Sequence, residues 1–217
     1  GREYDIIASE IGYTQADPVT NGDARTQGNL MTRYDTYFSS IGFSDFHCIY
    51  NMARKGDIPY LREDMYGITS PAYQHLTQEQ KTLIPTEGFV AVTGHSYVFA
   101  DTDFKKILKN DENCYVNLFY SNKYDCDILT INTANRESRQ LVTVDLGTDN
   151  VEVYNDFGNM IPMTGHDGKF TFRADERLLY VKGNFTKAEV IGESYLEVSD
   201  PFVVGAQNDV VAVSYEN

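Results

Sequence analysis

The stretch YDIIASEIGY, residues 4–13, decides the fold that we expect for the first part of this chain. It is apolar almost throughout, carries one carboxylate near its end, Glu10, and continues into Gly12, which permits a sharp exit. A near-continuous apolar run of this length is typical of a parallel strand that is buried on both faces. The sequence therefore predicts a buried strand with a carboxylate at its C-terminal end.

Glu10 has two interpretations at this point. The C-terminal ends of parallel barrel strands are where catalytic groups are placed, so Glu10 is a candidate catalytic residue. A single glutamate at a strand end is also common as a solvated edge residue or a helix cap. The pattern alone leaves both open.

The segments that follow alternate between helix and strand. Apolar residues from Leu30 to Ile41 recur on one helical face, and Gly42 is expected to end that helix. FHCIYNM, residues 46–52, predicts a second strand, and residues 53–70 a long polar loop. SPAYQHLTQEQKTLI, residues 70–84, predicts a shorter helix with Ser70 as its N-cap and Pro71 in its first position. This β-α-β-α order is compatible with a parallel unit.

The pattern changes near Pro85. Short segments separated by turns then follow, and several alternate with period two, as in Val142 and Val144. The predicted strands are GFVAVTGHSYVFA, CYVNLFY, CDILTIN, RQLVTVDL, VEVYN, KFTFRA and RLLYVKG. We expect an α+β chain with an antiparallel β-sandwich over residues 87–186, after a first domain over 1–86. Residues 187–217 are expected to hold a last strand, KAEVIGESYLEV, and a linker toward a further module.

The composition excludes some classes of partner and site. A net charge of −14 argues against nucleic acid, which requires clusters of Lys and Arg. No segment reaches the ~20 apolar residues of a membrane span. The Cys and His residues lack metal-ligand spacing, and we expect no metal or cofactor. Cys114 and Cys126 lie on neighbouring predicted strands but opposite other residues, so we expect free, buried thiols.

The order of these parts resembles the C-terminal third of clan A glycoside hydrolases. The resemblance rests on SEIGY, on a helix with Gln27 and Arg33, on YNMARKGD, on REDMYGITSPAYQHL, and on the final run from VTVDLGTDN to LYVKGNF. It covers roughly residues 4–186. Enzymes of that clan are (β/α)8 barrels with an appended β-sandwich, so the resemblance implies a partial barrel, β-α-β-α, followed by the sandwich.

The resemblance also implies roles for individual residues. Glu10 matches the nucleophile that the clan carries after barrel strand 7, in a retaining mechanism that needs two carboxyl groups about 5 Å apart. Tyr50 matches an aromatic residue that stacks on sugar after strand 8, and Tyr13 is a weaker candidate for substrate binding. Glu63 lies in the loop after strand 8, where it either contacts the sugar or only stabilises the conformation of the loop. The clan's acid/base glutamate follows strand 4, for which this sequence has no counterpart.

These features together predict the C-terminal portion of a secreted or cell-surface retaining glycoside hydrolase of bacterial origin, with a polysaccharide or oligosaccharide as substrate. Two parallel strands cannot close a barrel, so we expect the chain to be inactive alone and to pack against a missing barrel or neighbouring modules. The alternative is a non-catalytic carbohydrate-binding or structural module of a cell-surface protein. The absence of Trp favours a supporting role for the sandwich.

Overall fold

A computed structural model describes residues 8–15, 23–42, 47–49, 66–71, 83–111, 113–134 and 139–195. This part of the chain is α+β, with mostly antiparallel sheet and two helices, α1 (Ala24–Ser40) and α2 (Glu87–Val98). The strands are β1 (Ala8–Ile11), β2 (His47–Ile49), β3 (Thr69–Pro71), β4 (Leu83–Pro85), β5 (Thr102–Asn110), β6 (Cys114–Ser121), β7 (Cys126–Thr133), β8 (Gln140–Asp145), β9 (Val151–Tyr154), β10 (Met160–Ile161), β11 (Lys169–Ala174), β12 (Leu179–Gly183) and β13 (Glu189–Tyr195).

β1, α1 and β2 form the predicted parallel unit. The two strands pair in parallel, with Ala8 opposite His47 and Ile11 opposite Ile49, and α1 connects them. α1 begins after Asp23, whose carboxylate accepts hydrogen bonds from the backbone N–H groups of Arg25 and Thr26 at 3.1 Å. Just past the end of α1, Gly42 has a φ of +63°, the left-handed conformation expected of a glycine that ends a helix.

The buried face of α1 differs from the predicted one. Tyr37 and Ile41, expected on the apolar face, are exposed, while Met31 and Phe38 are buried. The rest of the buried face is mostly small or polar, and comprises Thr26, Gln27, Gly28, Asn29, Thr32, Thr36 and Ser40. The prediction failed because α1 packs through close backbone approach and hydrogen bonds rather than through an apolar stripe.

Two predicted elements are wrong where the structure describes them. The ends of the helix predicted over residues 70–84 lie in strands, because Ser70 in β3 pairs antiparallel with Ile84 in β4. GFVAVTGHSYVFA, predicted as a strand, lies mostly in α2. Thr86 caps that helix by accepting a hydrogen bond from the N–H of Phe89 at 3.4 Å. For a short run that is mostly apolar, the sequence pattern alone cannot distinguish a buried strand from a buried helix.

The remaining strands form a β-sandwich. A six-stranded sheet has the order β10-β9-β12-β7-β6-β5, and a three-stranded sheet has the order β11-β8-β13. β5 was not among the predicted strands, whereas the expected last strand is confirmed as β13. The core between the sheets includes Val142, Val144 and Leu146, all fully buried as their alternation predicts, and the stacked rings of Phe170 and Phe172.

The opposite face of the six-stranded sheet packs against the helices. Val98 and Phe99 at the end of α2 contact a second cluster that includes Phe119, Ile128 and Tyr180. α1 and α2 approach each other so closely that a Cβ on Gly28 would come within 2.8 Å of the Cβ of Ala91. The described part of the sandwich and the helices thus form three layers.

Cys114 and Cys126 are free and buried, which confirms their prediction. They do not face each other across the β6–β7 hairpin: Cys114 is opposite Thr133, and Cys126 is opposite Ser121. Burial raises the pKa of the Cys114 thiol to about 12, so it stays protonated and unreactive at neutral pH.

Neither described helix has the length and apolar character needed to cross a membrane.

Candidate functional site

Three of the predicted site residues, Glu10, Tyr13 and Tyr50, lie in the sequence at or just after the C-terminal ends of β1 and β2. Glu10 lies in β1, one residue before its end, and the chain then passes through Gly12 and Tyr13. Because β1 and β2 are parallel, the C-terminal ends of both strands lie at the same edge. The side chain of Glu10, and Tyr50 and Glu63 altogether, lie outside the described residues. Of the four predicted residues, Tyr13 is therefore the one whose surroundings can be described.

Tyr13 is half-buried against α1. Its ring meets the ring of Tyr34 edge-on, with 6.2 Å between the centroids. Burial, together with the nearby Tyr34 hydroxyl, raises the pKa of Tyr13, so its phenol is neutral at physiological pH. A neutral phenol can donate a hydrogen bond or stack on a ligand ring, but it does not supply a negative charge.

Gln27 holds the segment that follows β1 in place. Its side-chain N–H₂ donates to the carbonyl oxygens of Tyr13 at 2.5 Å and Tyr66 at 2.9 Å, and its Oε1 accepts from Gln15 Nε2 at 2.7 Å. Gln15 and Gln27 are both fully buried. One amide on α1 thus fixes the exit of β1 and the segment before β3, so the residues after Glu10 are held by side-chain hydrogen bonds.

We expect Gln27→Leu to lower the free energy of unfolding by about 1–3 kcal/mol, because two buried carbonyl oxygens lose a donor. Urea unfolding of the chain measures the change. Gln140→Leu is the comparison: Gln140 is also buried, but its Oε1 has no partner among the described residues, so this change should cost less than Gln27→Leu. Equal losses in the two variants would show that the shape of Gln27, not its hydrogen bonds, holds the segment.

Salt bridges and hydrogen bonds fix α1 to the sandwich. Arg25 donates two hydrogen bonds to the buried carboxylate of Asp156, at 2.9 and 2.8 Å, and lies 4.3 Å from the centre of the Phe157 ring. Further along the helix, Arg33 Nη2 donates to the carbonyl oxygen of Ala134 at 2.8 Å. Since Gln27 lies between these arginines on the same helix, the exit of β1 is fixed relative to the large sheet.

A cavity of about 250 Å³ opens between α1 and the helix-facing side of the six-stranded sheet. We call it the tyrosine cavity. It is lined by Tyr13, Leu30, Arg33, Tyr34, Thr36, Tyr37, Ser40, Asn110, Tyr115, Asn117 and Asn132. Of the residues that the sequence singled out for binding, it contains Tyr13. Its other members were missed because residues of α1 and of β5–β7 come together only in the tertiary structure.

A largely buried set of hydrogen bonds joins Asp35, His95 and Tyr180, and no sequence pattern predicted it. His95 contacts the Asp35 carboxylate at 2.6 Å through Nε2 and the Tyr180 hydroxyl at 2.7 Å through Nδ1. Its ring also stacks on Phe99. Burial raises the pKa of Tyr180 far above its usual range, so the phenol stays neutral. Because His95 and Tyr180 are buried, we interpret the set as a tie between α1, α2 and β12.

Comparison with known proteins shows that the fold of this chain is similar to parts of solved structures. No protein-family model matches the chain, and no curated protein matches it. A family 39 glycoside hydrolase from the gut symbiont Bacteroides cellulosilyticus WH2 superimposes with a TM-score of 0.68 at 17% sequence identity, over 84% of this chain and 34% of that one. An Anoxybacillus α-amylase gives a TM-score of 0.43 at 16% identity, over 75% and 33%.

The chain spans about a third of the length of the family 39 enzyme. The sandwich strands and the residues between them make up only about half of the chain, so an alignment over 84% of it extends beyond the sandwich. At this level of identity the likeness describes the fold. The chain therefore has a glycoside hydrolase-like fold.

Proposed function

We propose that this chain is the C-terminal portion of a retaining glycoside hydrolase, with Glu10 as its nucleophile and a polysaccharide or oligosaccharide as its substrate. The observation that carries the proposal is the superposition on the family 39 enzyme, combined with a glutamate at the C-terminal end of a parallel strand. The partial barrel of the proposal is supported by the order β1-α1-β2, followed later by α2 directly before the sandwich. We further infer a bacterial protein that is secreted or held at the cell surface.

The proposed reaction proceeds in two steps. The Glu10 carboxylate attacks the anomeric carbon and forms a glycosyl ester, while the bond to the leaving oxygen breaks and that oxygen takes a proton from a second carboxylic acid. The resulting carboxylate then removes a proton from water, the water oxygen attacks the anomeric carbon, and Glu10 is released as a carboxylate. The two carboxyl groups must stand about 5 Å apart.

Within this chain the other residues would act by positioning. Gln27 holds the backbone that follows Glu10, and Arg25 and Asp156 hold the helix that carries Gln27. The second carboxylic acid belongs, in the proposal, to a part of the enzyme outside this chain. The sandwich then supports the barrel and carries no catalytic group.

The test compares this chain with a longer protein that contains it, on a panel of aryl β-glycosides. We expect phenolate release from the longer protein and none from the chain alone, because one carboxyl group cannot serve as both nucleophile and proton donor to the leaving oxygen. Hydrolysis by the chain alone would contradict the proposal. Inactivity of both would favour a non-catalytic module that binds carbohydrate or supports its neighbours.

A further inference from the structure

Arg33 is a half-buried charge in the tyrosine cavity, and the structure shows no counterion for it among the described residues. Its guanidinium makes one hydrogen bond, to the carbonyl of Ala134, and no carboxylate among the described residues forms an ion pair with it. Burial lowers its pKa, and Glu176 and Tyr115 oppose that shift only through space. A guanidinium has five N–H donors, and burying it without an anion is costly. The remaining donors are suited to an anionic group that enters the cavity.

The sheet side of the cavity is polar where an apolar surface is expected. Asn117 in β6 and Asn132 in β7 lie on central strands, are almost fully buried, and line the cavity. The Nδ2 group of Asn132 donates a hydrogen bond to the carbonyl oxygen of Thr133. Thr130, opposite Asn117, has a buried hydroxyl without a partner in the described part of the chain. Buried polar groups normally have hydrogen-bond partners, so two asparagines that line a cavity on a central sheet suit a ligand with polar groups.

The α1 side of the cavity is aromatic. Tyr13 and Tyr34 meet edge-on, Tyr34 packs against Phe38, and Tyr37 is 46% exposed near the opening. Tyrosine rings present both an apolar face and a hydroxyl, the combination that suits the two-sided surface of a sugar ring. A cavity of about 250 Å³ has room for one such ring.

We propose that the tyrosine cavity binds a single sugar acid, with its carboxylate on Arg33, its hydroxyl groups on Asn117 and Asn132, and its ring against the tyrosines. An arginine fork matches the geometry of a carboxylate. The chain's charge of −14 repels anions at long range, so the preference must come from this local pairing. The site does not depend on the assignment of Glu10.

The first experiment titrates the chain with glucuronate, glucose and acetate. Because the chain has no Trp, its tyrosine fluorescence is directly observable, and calorimetry gives the dissociation constants. We expect glucuronate to bind about tenfold or more tightly than either of the others, since neither glucose nor acetate supplies both the charge and the hydroxyl groups. If glucose binds as tightly as glucuronate, Arg33 does not recognise the carboxylate. If acetate binds as tightly, the sugar hydroxyl groups are not recognised. If none of the three binds, the cavity is not a binding site for sugar acids.

The second experiment uses variants. Arg33→Gln should weaken glucuronate binding at least about tenfold and bring it to the level of glucose, and Arg33→Lys should recover only part of the loss. Arg173→Gln, at an exposed position outside the cavity, is the control and should bind as the wild type does. If Arg33→Gln does not fold, Asn117→Ala replaces it, because Asn117 also lines the cavity and carries no charge. Unchanged binding in a folded variant would place the ligand elsewhere.

Discussion

Glu10→Gln is expected to lower the turnover of a longer, active protein that contains this chain by roughly three or more decades. Glutamine has nearly the same shape as glutamate, but its amide oxygen is a very weak nucleophile, so the glycosyl-enzyme cannot form. Because Glu10 lies in a strand whose pairing is by backbone hydrogen bonds, the substitution should leave that pairing intact. The measurement is kcat on an activated aryl β-glycoside, with a thermal unfolding curve for each protein.

Glu189→Gln is the matched control for this experiment. Glu189 is exposed in β13 and forms a surface ion pair with Lys187, which contributes little to stability. The same chemical change there should leave kcat unaltered. If both variants keep full activity, the nucleophile lies elsewhere and the match at SEIGY is wrong.

Chemical rescue separates a nucleophile from a residue that only supports the site. If Glu10 is the nucleophile, a Glu10→Ala variant leaves space beside the anomeric carbon, where added azide can attack and form a glycosyl azide. Azide should therefore restore part of the turnover if Glu10 is the nucleophile. No rescue, together with a lowered unfolding temperature, would instead assign Glu10 a structural role.

Phe172→Ala is expected to destabilise the chain by about 3–5 kcal/mol, the usual cost of removing a fully buried phenylalanine. Phe172 lies in β11, is fully buried between the two large sheets, and stacks on Phe170 with 5.9 Å between the ring centroids. Its loss leaves a cavity that neighbours in two different sheets would have to fill. In a protein of this size the midpoint of thermal unfolding should fall by about 10 °C.

Phe104→Ala is the control for the sandwich core. Phe104 lies in the edge strand β5, is 36% exposed, and touches Phe119 with one edge of its ring. We expect it to cost well under half as much as Phe172→Ala, since part of its surface is already in water. If the two variants lose equal stability, the space between the sheets is not the main core of the described chain.

The sequence predicted those parts of the fold that are governed by local patterns. Val142, Val144 and Leu146 alternate with polar neighbours and are buried as expected. The turns between the predicted strands contain glycine where the backbone requires it: Gly147, Gly158 and Gly168 all have positive φ, a conformation that favours glycine. The parallel β1 and β2 followed from apolar runs joined by a helix. In each case the signal lies within a few residues.

The errors arose where partners distant in sequence decide the structure. Residues 87–98 are mostly apolar or small, and they form a helix that packs between α1 and the sheet. Gly94 in that helix lies so close to the turn after β9 that a Cβ would come within 2.3 Å of the carbonyl carbon of Phe157. A strand prediction could not include that contact, because Phe157 is far away in the sequence.

The candidate sites also fall into one that the local sequence predicts and others that only the tertiary structure forms. The sequence by itself placed Glu10 at the end of a parallel strand, because an apolar run and the residue that ends it are neighbours in the chain. Only the tertiary structure brought Arg33 from α1 beside Asn117 and Asn132 from the sheet, and joined Asp35, His95 and Tyr180 in one hydrogen-bonded set. Burial and pairing of these polar side chains depend on which faces of the helices meet the sheet, and no local pattern encodes that choice.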